Sequence, residues 1–91
     1  MKQVLLAPAR IDTRNIGEFE AAIKNVMSPE LTDLTIDFAE TRYISSVGLR
    51  ALLKTQKVLK ARGGGLTVAN VDSNVMDVFE VTGYTGVLNF A

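Results

Sequence analysis

Two kinds of segment alternate along the chain, and that alternation restricts the fold more than any single residue does. Val4-Leu5-Leu6 reads as the centre of a short strand closed by Pro8. Asp12-Thr13-Arg14-Asn15 then supplies cap-type residues, and Asn15 with Glu18 has the spacing of a capping box. Ile16, Phe19, Ala22, Ile23 and Val26 keep the three-and-four spacing of a helix, which Ser28-Pro29 stops because proline disfavours a helical predecessor. Leu34-Thr35-Ile36-Asp37-Phe38 alternates apolar with polar and predicts a second strand. After the polar connection Ala39-Glu40-Thr41-Arg42, a helix starts at Ser46 or Val47, with Leu49, Leu52, Leu53, Gln56 and Leu59 on one face. Its other positions include Arg50, Lys54, Lys57 and Lys60, which read as a solvated face. Gly63-Gly64-Gly65 ends that helix, Leu66-Thr67-Val68 reads as a third strand, and Asp72-Ser73-Asn74 caps a last helix. This helix carries Val75, Val78, Phe79 and Thr82 on one side, closes at Gly83 and leaves a tail, Tyr84 to Phe90, that packs as an edge or a short turn. Strand followed by helix, three times over, demands crossover connections. The expected fold is therefore α/β, with three to four mostly parallel strands and helices packed against the sheet.

Composition removes several classes of function. A chain of 91 residues has material for one core, so a single domain over 1–91 is expected. Lys+Arg and Asp+Glu balance at 10 each, leaving no global field to attract nucleic acid or acidic lipid. The apolar run near Met1 is too short for a signal peptide or membrane span, which makes a cytoplasmic protein with no membrane association of its own the expectation. Histidine and cysteine are both absent, so serine–histidine pairs, thiol catalysis and ordinary zinc sites are excluded. Lys54 is no local base for Ser46, since the intervening helix would separate them by roughly 12 Å. Nor do the three glycines form a phosphate loop, because they lead into a strand rather than into Lys-Ser or Lys-Thr and a helix. No catalytic residue, cofactor or metal is expected.

The stretch Tyr43-Ile44-Ser45-Ser46-Val47-Gly48-Leu49-Arg50 places two serines where a helix begins. One reading is a helix cap, because the first N–H groups lack internal acceptors and a serine oxygen satisfies one of them. The other is a hydroxyl displayed for phosphorylation, since a helix start accommodates added negative charge. Adjacent serines can divide these roles between them.

That stretch resembles the STAS domain of anti-sigma factor antagonists when taken with Asp37-Phe38 before it, and with Gly64-Gly65-Leu66 and Val78-Phe79-Glu80-Val81-Thr82-Gly83 after it. The similarity runs from Ile11 to Leu88. It implies a (βα) superhelix with a mixed sheet, and a phosphoprotein of signal transduction and transcription regulation. It further implies a serine phosphorylated by a partner kinase that is also the anti-sigma factor, with a serine phosphatase to reverse the modification. By motif position the phosphoacceptor is Ser46, with Ser45 the second choice, and the partner-binding residues are Tyr43, Ser45, Ser46, Val47, Gly48 and Arg50. Two departures accompany the resemblance. Ser45 and Val47 stand where many relatives carry aspartate and a smaller residue, and only ten residues precede Ile11. A shortened N-terminal strand region is expected from the second, with an edge open to a partner or to weak self-association as a dimer. The alternatives are a STAS scaffold or docking module of a larger signalling or transporter assembly, and an enzyme or nucleotide binder grouping Asp12, Asp37 and Ser46 at the strand ends.

Overall fold

The computed structural model describes residues 1–91. Its elements are β1 (Lys2–Leu6), β2 (Arg10–Ile11), α1 (Ile16–Val26), β3 (Asp33–Asp37), β4 (Tyr43–Ile44), α2 (Ser46–Ala61), β5 (Gly65–Ala69) and α3 (Ser73–Val81), then a 3-10 turn at Tyr84–Gly86 and β6 (Asn89–Phe90). The main sheet has the order β1-β3-β5-β6, and a second, two-stranded sheet joins β2 to β4. Every pairing is parallel, which corrects the mixed sheet implied by the resemblance. The cause is local: a helix lies between successive strands of the main sheet, and each crossover returns the chain in the same direction.

Register sorts the residues by face. Leu5, Ile36 and Val68 align across the sheet, and Val68 also faces Phe90 in β6. Leu34, Ile36, Leu66 and Val68 are fully buried beneath the helices. Alternate residues turn the other way, and on β1 this leaves Val4 68% and Leu6 53% exposed. Only Leu5 of the first apolar run packs against the core. The core is closed at one end by three rings, Phe38 with Phe79 at 6.0 Å and Phe79 with Phe90 edge-on at 5.1 Å.

On α2, Leu49, Leu52 and Leu59 are buried as their spacing predicts, each worth roughly 1.5–3 kcal/mol. Gln56, the one polar residue on that face, is also buried, and its amide explains why. Its Oε1 accepts the Leu66 N–H at 2.7 Å, and its Nε2 donates to the Val87 carbonyl at 2.9 Å. One side chain thus ties α2 to β5 and to the C-terminal segment. The turn after α2 needs glycine for a steric reason: a Cβ on Gly64 would lie 1.7 Å from the Thr32 carbonyl oxygen.

Two local expectations are corrected. Asn15 stands at the cap position of α1 without capping it. Its Oδ1 accepts the Asp12 N–H at 2.9 Å and its Nδ2 donates to the Arg10 carbonyl at 2.6 Å, so the amide closes the preceding turn instead. Thr41, read as part of a polar connection, is fully buried, and its hydroxyl donates to the Pro8 carbonyl at 2.7 Å. No helix is long and apolar enough to cross a membrane.

Candidate functional site

The short strand β4 delivers the serine pair to the surface. Tyr43 and Ile44 pair with Arg10 and Ile11, and the Ser45 N–H extends that ladder to the Ile11 carbonyl at 2.9 Å. Ser45 is extended, with φ −98° and ψ 176°, and the chain turns into α2 at the next residue. Its carbonyl accepts the first helical bond, from the Leu49 N–H at 3.1 Å. The expected serine cap is absent, because Ser45 makes no side-chain bond to the helix. Its Oγ is buried with no hydrogen-bond partner. Held in the ladder by its backbone, Ser45 turns its hydroxyl inward, away from the N–H groups it would cap.

Ser46, the first residue of α2, is exposed. The N–H groups of the first helical turn have no internal acceptor, and no acidic residue lies there. The helix start therefore presents partial positive charge beside an accessible hydroxyl.

Tyr43 is 52% exposed, and the Arg10 guanidinium lies over its ring at 5.7 Å. Arg10 is fixed in turn by Asp12, Nε to Oδ2 at 2.7 Å. Arg50 is exposed and Val47 half-buried on the first turns of the helix. Of the six residues expected to meet a partner, Tyr43, Ser46, Val47 and Arg50 thus reach the surface. The Ser45 hydroxyl does not, and Gly48 is buried. A Cβ on Gly48 would come within 2.7 Å of Ile11 Cγ2 and 2.8 Å of Ile44 Cγ1, so the missing side chain lets α2 seat on the β2–β4 pair. Arg10 escaped the sequence reading. Its relevance depends on the pairing of two-residue strands, which leave no periodic signal.

The acidic residues grouped with Ser46 in the enzyme reading are engaged locally. Burial pushes the Asp12 carboxyl up, but the Arg14 N–H at 2.9 Å and the Arg10 guanidinium together hold it below the usual carboxylate range. Asp37 is held low by the Asn70 amide at 3.0 Å and by the Ala39 N–H at 2.9 Å. Both are stabilised as carboxylates, the opposite of what a general acid near neutral pH requires.

With this geometry in place, comparison with known proteins gives a consistent result. The STAS domain family matches residues 4–91. A Bordetella bronchiseptica protein assigned as an anti-sigma factor antagonist is 27% identical over 81 residues, covering 89% of this chain and 70% of the relative. The anti-sigma-B factor antagonist of Bacillus subtilis is 29% identical over 59 residues, covering 65% of this chain and 54% of the relative, so the match spans about half of that protein. Among solved structures, a Thermotoga maritima protein assigned as an anti-sigma factor antagonist superposes with a TM-score of 0.83 at 14% identity, covering 96% of this chain and 77% of the other. A sulfate transporter family protein from Wolinella succinogenes superposes with a TM-score of 0.77 at 15% identity, covering 98% and 75%. At such identities the two structures speak for the fold alone.

Proposed function

The chain belongs to the STAS domain family, and from that membership we propose that it is an anti-sigma factor antagonist controlled by phosphorylation of Ser46. Unmodified, it docks the start of α2 on a serine-kinase-type anti-sigma factor and frees the sigma factor held there; a serine phosphatase restores the binding form. It performs no catalysis itself and works in the cytoplasm, with transcription as the output. Relatives named as anti-sigma factor antagonists support the partner class. The observation that carries the choice of residue is the contrast between the two serines. Ser46 is exposed at an uncapped helix start, whereas the Ser45 Oγ is buried without a hydrogen-bond partner, which favours Ser46 as the acceptor.

The physics of the switch is a difference between two environments. A phosphate adds roughly 1.5 to 2 negative charges, and at a solvated helix start this is favourable by about 0.3–1 kcal/mol. The free domain hardly changes. In a docked interface the same dianion must be desolvated or matched by cations, and a mismatch of about 3 kcal/mol lowers affinity roughly a hundredfold. Arg10, the cation over the Tyr43 ring, is already committed to Asp12.

The test compares wild type, Ser46→Ala and Ser46→Asp for binding to a kinase-type anti-sigma factor by calorimetry, with fragmentation mass spectrometry locating the phosphate after incubation with ATP. Ser46→Ala should bind like wild type, Ser46→Asp should bind much more weakly, and the phosphate should sit on Ser46. Equal affinities for the two variants, or phosphate on another residue, would sink the switch. Because the fold also occurs in the sulfate transporter family structure, a docking role in a larger assembly is the second reading. Co-purification with a permease or a multi-protein complex, indifferent to Ser46→Asp, would favour it.

A further inference from the structure

Beyond the helix start, the seam between α1 and α2 forms an open trough. Two depressions of about 410 and 310 Å³ lie end to end along it. Val47 and Arg50 line the first, Met27 and Val58 the second, and Glu20 and Lys54 are common to both. The two depressions thus adjoin at the exposed Glu20–Lys54 pair, which crosses the seam between them. From Val47 to Val58 the seam follows α2 for about 16 Å, three helical turns.

Its floor is apolar and reaches solvent: Val58 is 43% exposed, and Val47 and Met27 are half-buried. The rim is basic. Over residues 46–61, α2 carries Arg50, Lys54, Lys57 and Lys60 and no acidic residue. Only Lys54 has an ionic partner, Glu20 at 3.8 Å, and that pair is exposed and weak. The positive strip is a local feature, since the chain as a whole carries no net charge.

Small-molecule sites enclose their ligand and converge a few polar groups on it. An open seam with an apolar floor and a rim in which three cations, Lys24, Arg50 and Lys54, outnumber the single acid Glu20 has the form that receives an amphipathic helix through anchors one turn apart. We propose that this seam binds an acidic amphipathic helix of the partner protein. Its apolar stripe lies on Val47, Met27 and Val58, and its carboxylates face Arg50 and Lys54. The inference rests on the reading of the α2 start as a partner-docking face and extends that face three turns away from Ser46.

The test titrates the full chain, labelled with 15N, with a helical peptide of about 14 residues carrying leucines on one stripe and glutamates elsewhere. Amide shifts are expected at Val47, Arg50, Lys54 and Val58. The double variant Arg50→Glu/Lys54→Glu should weaken binding at least about tenfold while keeping the melting temperature and spectral dispersion of wild type. A peptide with lysine in place of glutamate, and a scrambled peptide of the same composition, should not bind. The proposal is overturned by absence of binding at millimolar peptide, by equal binding of either control, or by shifts on the outer sheet face at Val4 and Leu6. It is also overturned if dilution of the chain alone moves the seam resonances, which would give the seam to a second copy. Failure of the Ser46 switch is separable: peptide binding at the seam, together with anti-sigma factor affinity unchanged by Ser46→Asp, removes the switch and keeps the seam.

Discussion

Two helices start at the same end of this molecule, beside β4, and they handle their first N–H groups in opposite ways. At α3, Asp72 occupies the cap position, its Oδ1 accepts the Val75 N–H at 2.9 Å, and its Oδ2 lies 3.7 Å from Arg42 Nε. At α2, Ser45 occupies the cap position, its hydroxyl is buried without a partner, and the first turn holds no acid. One start already has its anion; the other lacks one. A phosphate on Ser46 would supply to α2 what Asp72 supplies to α3. On the proposed phosphorylation, Ser73, also the exposed first residue of a helix, would be the less favourable acceptor, because a second anion there would meet the Asp72 carboxylate.

The largest break in this comparison comes from Gly48→Ala. The added Cβ would lie within 3 Å of Ile11 Cγ2 and Ile44 Cγ1, both one bond from the branched Cβ of a buried isoleucine and so with little room to move aside. Overpacking of this kind costs roughly 1–3 kcal/mol, against up to about 1 kcal/mol gained from the better helix propensity of alanine. A net loss of about 1–2 kcal/mol in urea denaturation is expected; an unchanged midpoint would mean that α2 does not seat on the β2–β4 pair as described.

Next in size is Asp72→Ala, which removes the cap of α3 and should cost about 1 kcal/mol. The Arg42 contact adds little, because both side chains remain partly solvated. Asp72→Ser should recover most of the loss, since a serine oxygen can accept the same N–H. Equal destabilisation by both replacements would shift the credit from the cap to the charge.

How much of this was legible in the sequence depends on whether the controlling interaction repeats. The alternation in Leu34-Thr35-Ile36 and the leucine spacing of α2 repeat over many residues, so β3, α2 and the parallel order of strands followed from pattern alone. Strands β2 and β4 have two residues each, and no period exists in two residues. Asn15 was misread because the residue types that cap helices also close turns; only the position of Asp12 and Arg10 in space decides between them. Asp72 was read correctly because nothing nearby competes for its carboxylate oxygen Oδ1. Ser45 follows the Asn15 rule: its backbone N–H is claimed by Ile11, 34 positions earlier, and a partner so distant in sequence leaves no mark on the local pattern.

Ser46→Asp sharpens the contrast directly by giving α2 an acidic first residue. A gain of about 0.3–1 kcal/mol is expected at low ionic strength, shrinking as salt is added. Ser73→Asp is the control. Its new charge stands next to Asp72, so it should gain less than Ser46→Asp or lose stability. If both variants gained equally, the electrostatic difference between the two helix starts would be absent.

The smallest effect is expected from Ser45→Ala, and its smallness is the informative part. Removing a serine that caps its helix costs about 1 kcal/mol, because a first-turn N–H loses its acceptor. Removing a buried hydroxyl that has no partner relieves a desolvated polar group, and the change should be near zero or slightly stabilising, within about 0.5 kcal/mol of wild type. Guanidinium unfolding of Ser45→Ala beside Asp72→Ala puts the two cap positions on one scale. Were Ser45→Ala to cost as much as Asp72→Ala, its hydroxyl would be capping α2 in solution. The first-turn N–H groups would then be only partly free, and the Ser46 end would lose the open electrostatic site that distinguishes it from α3.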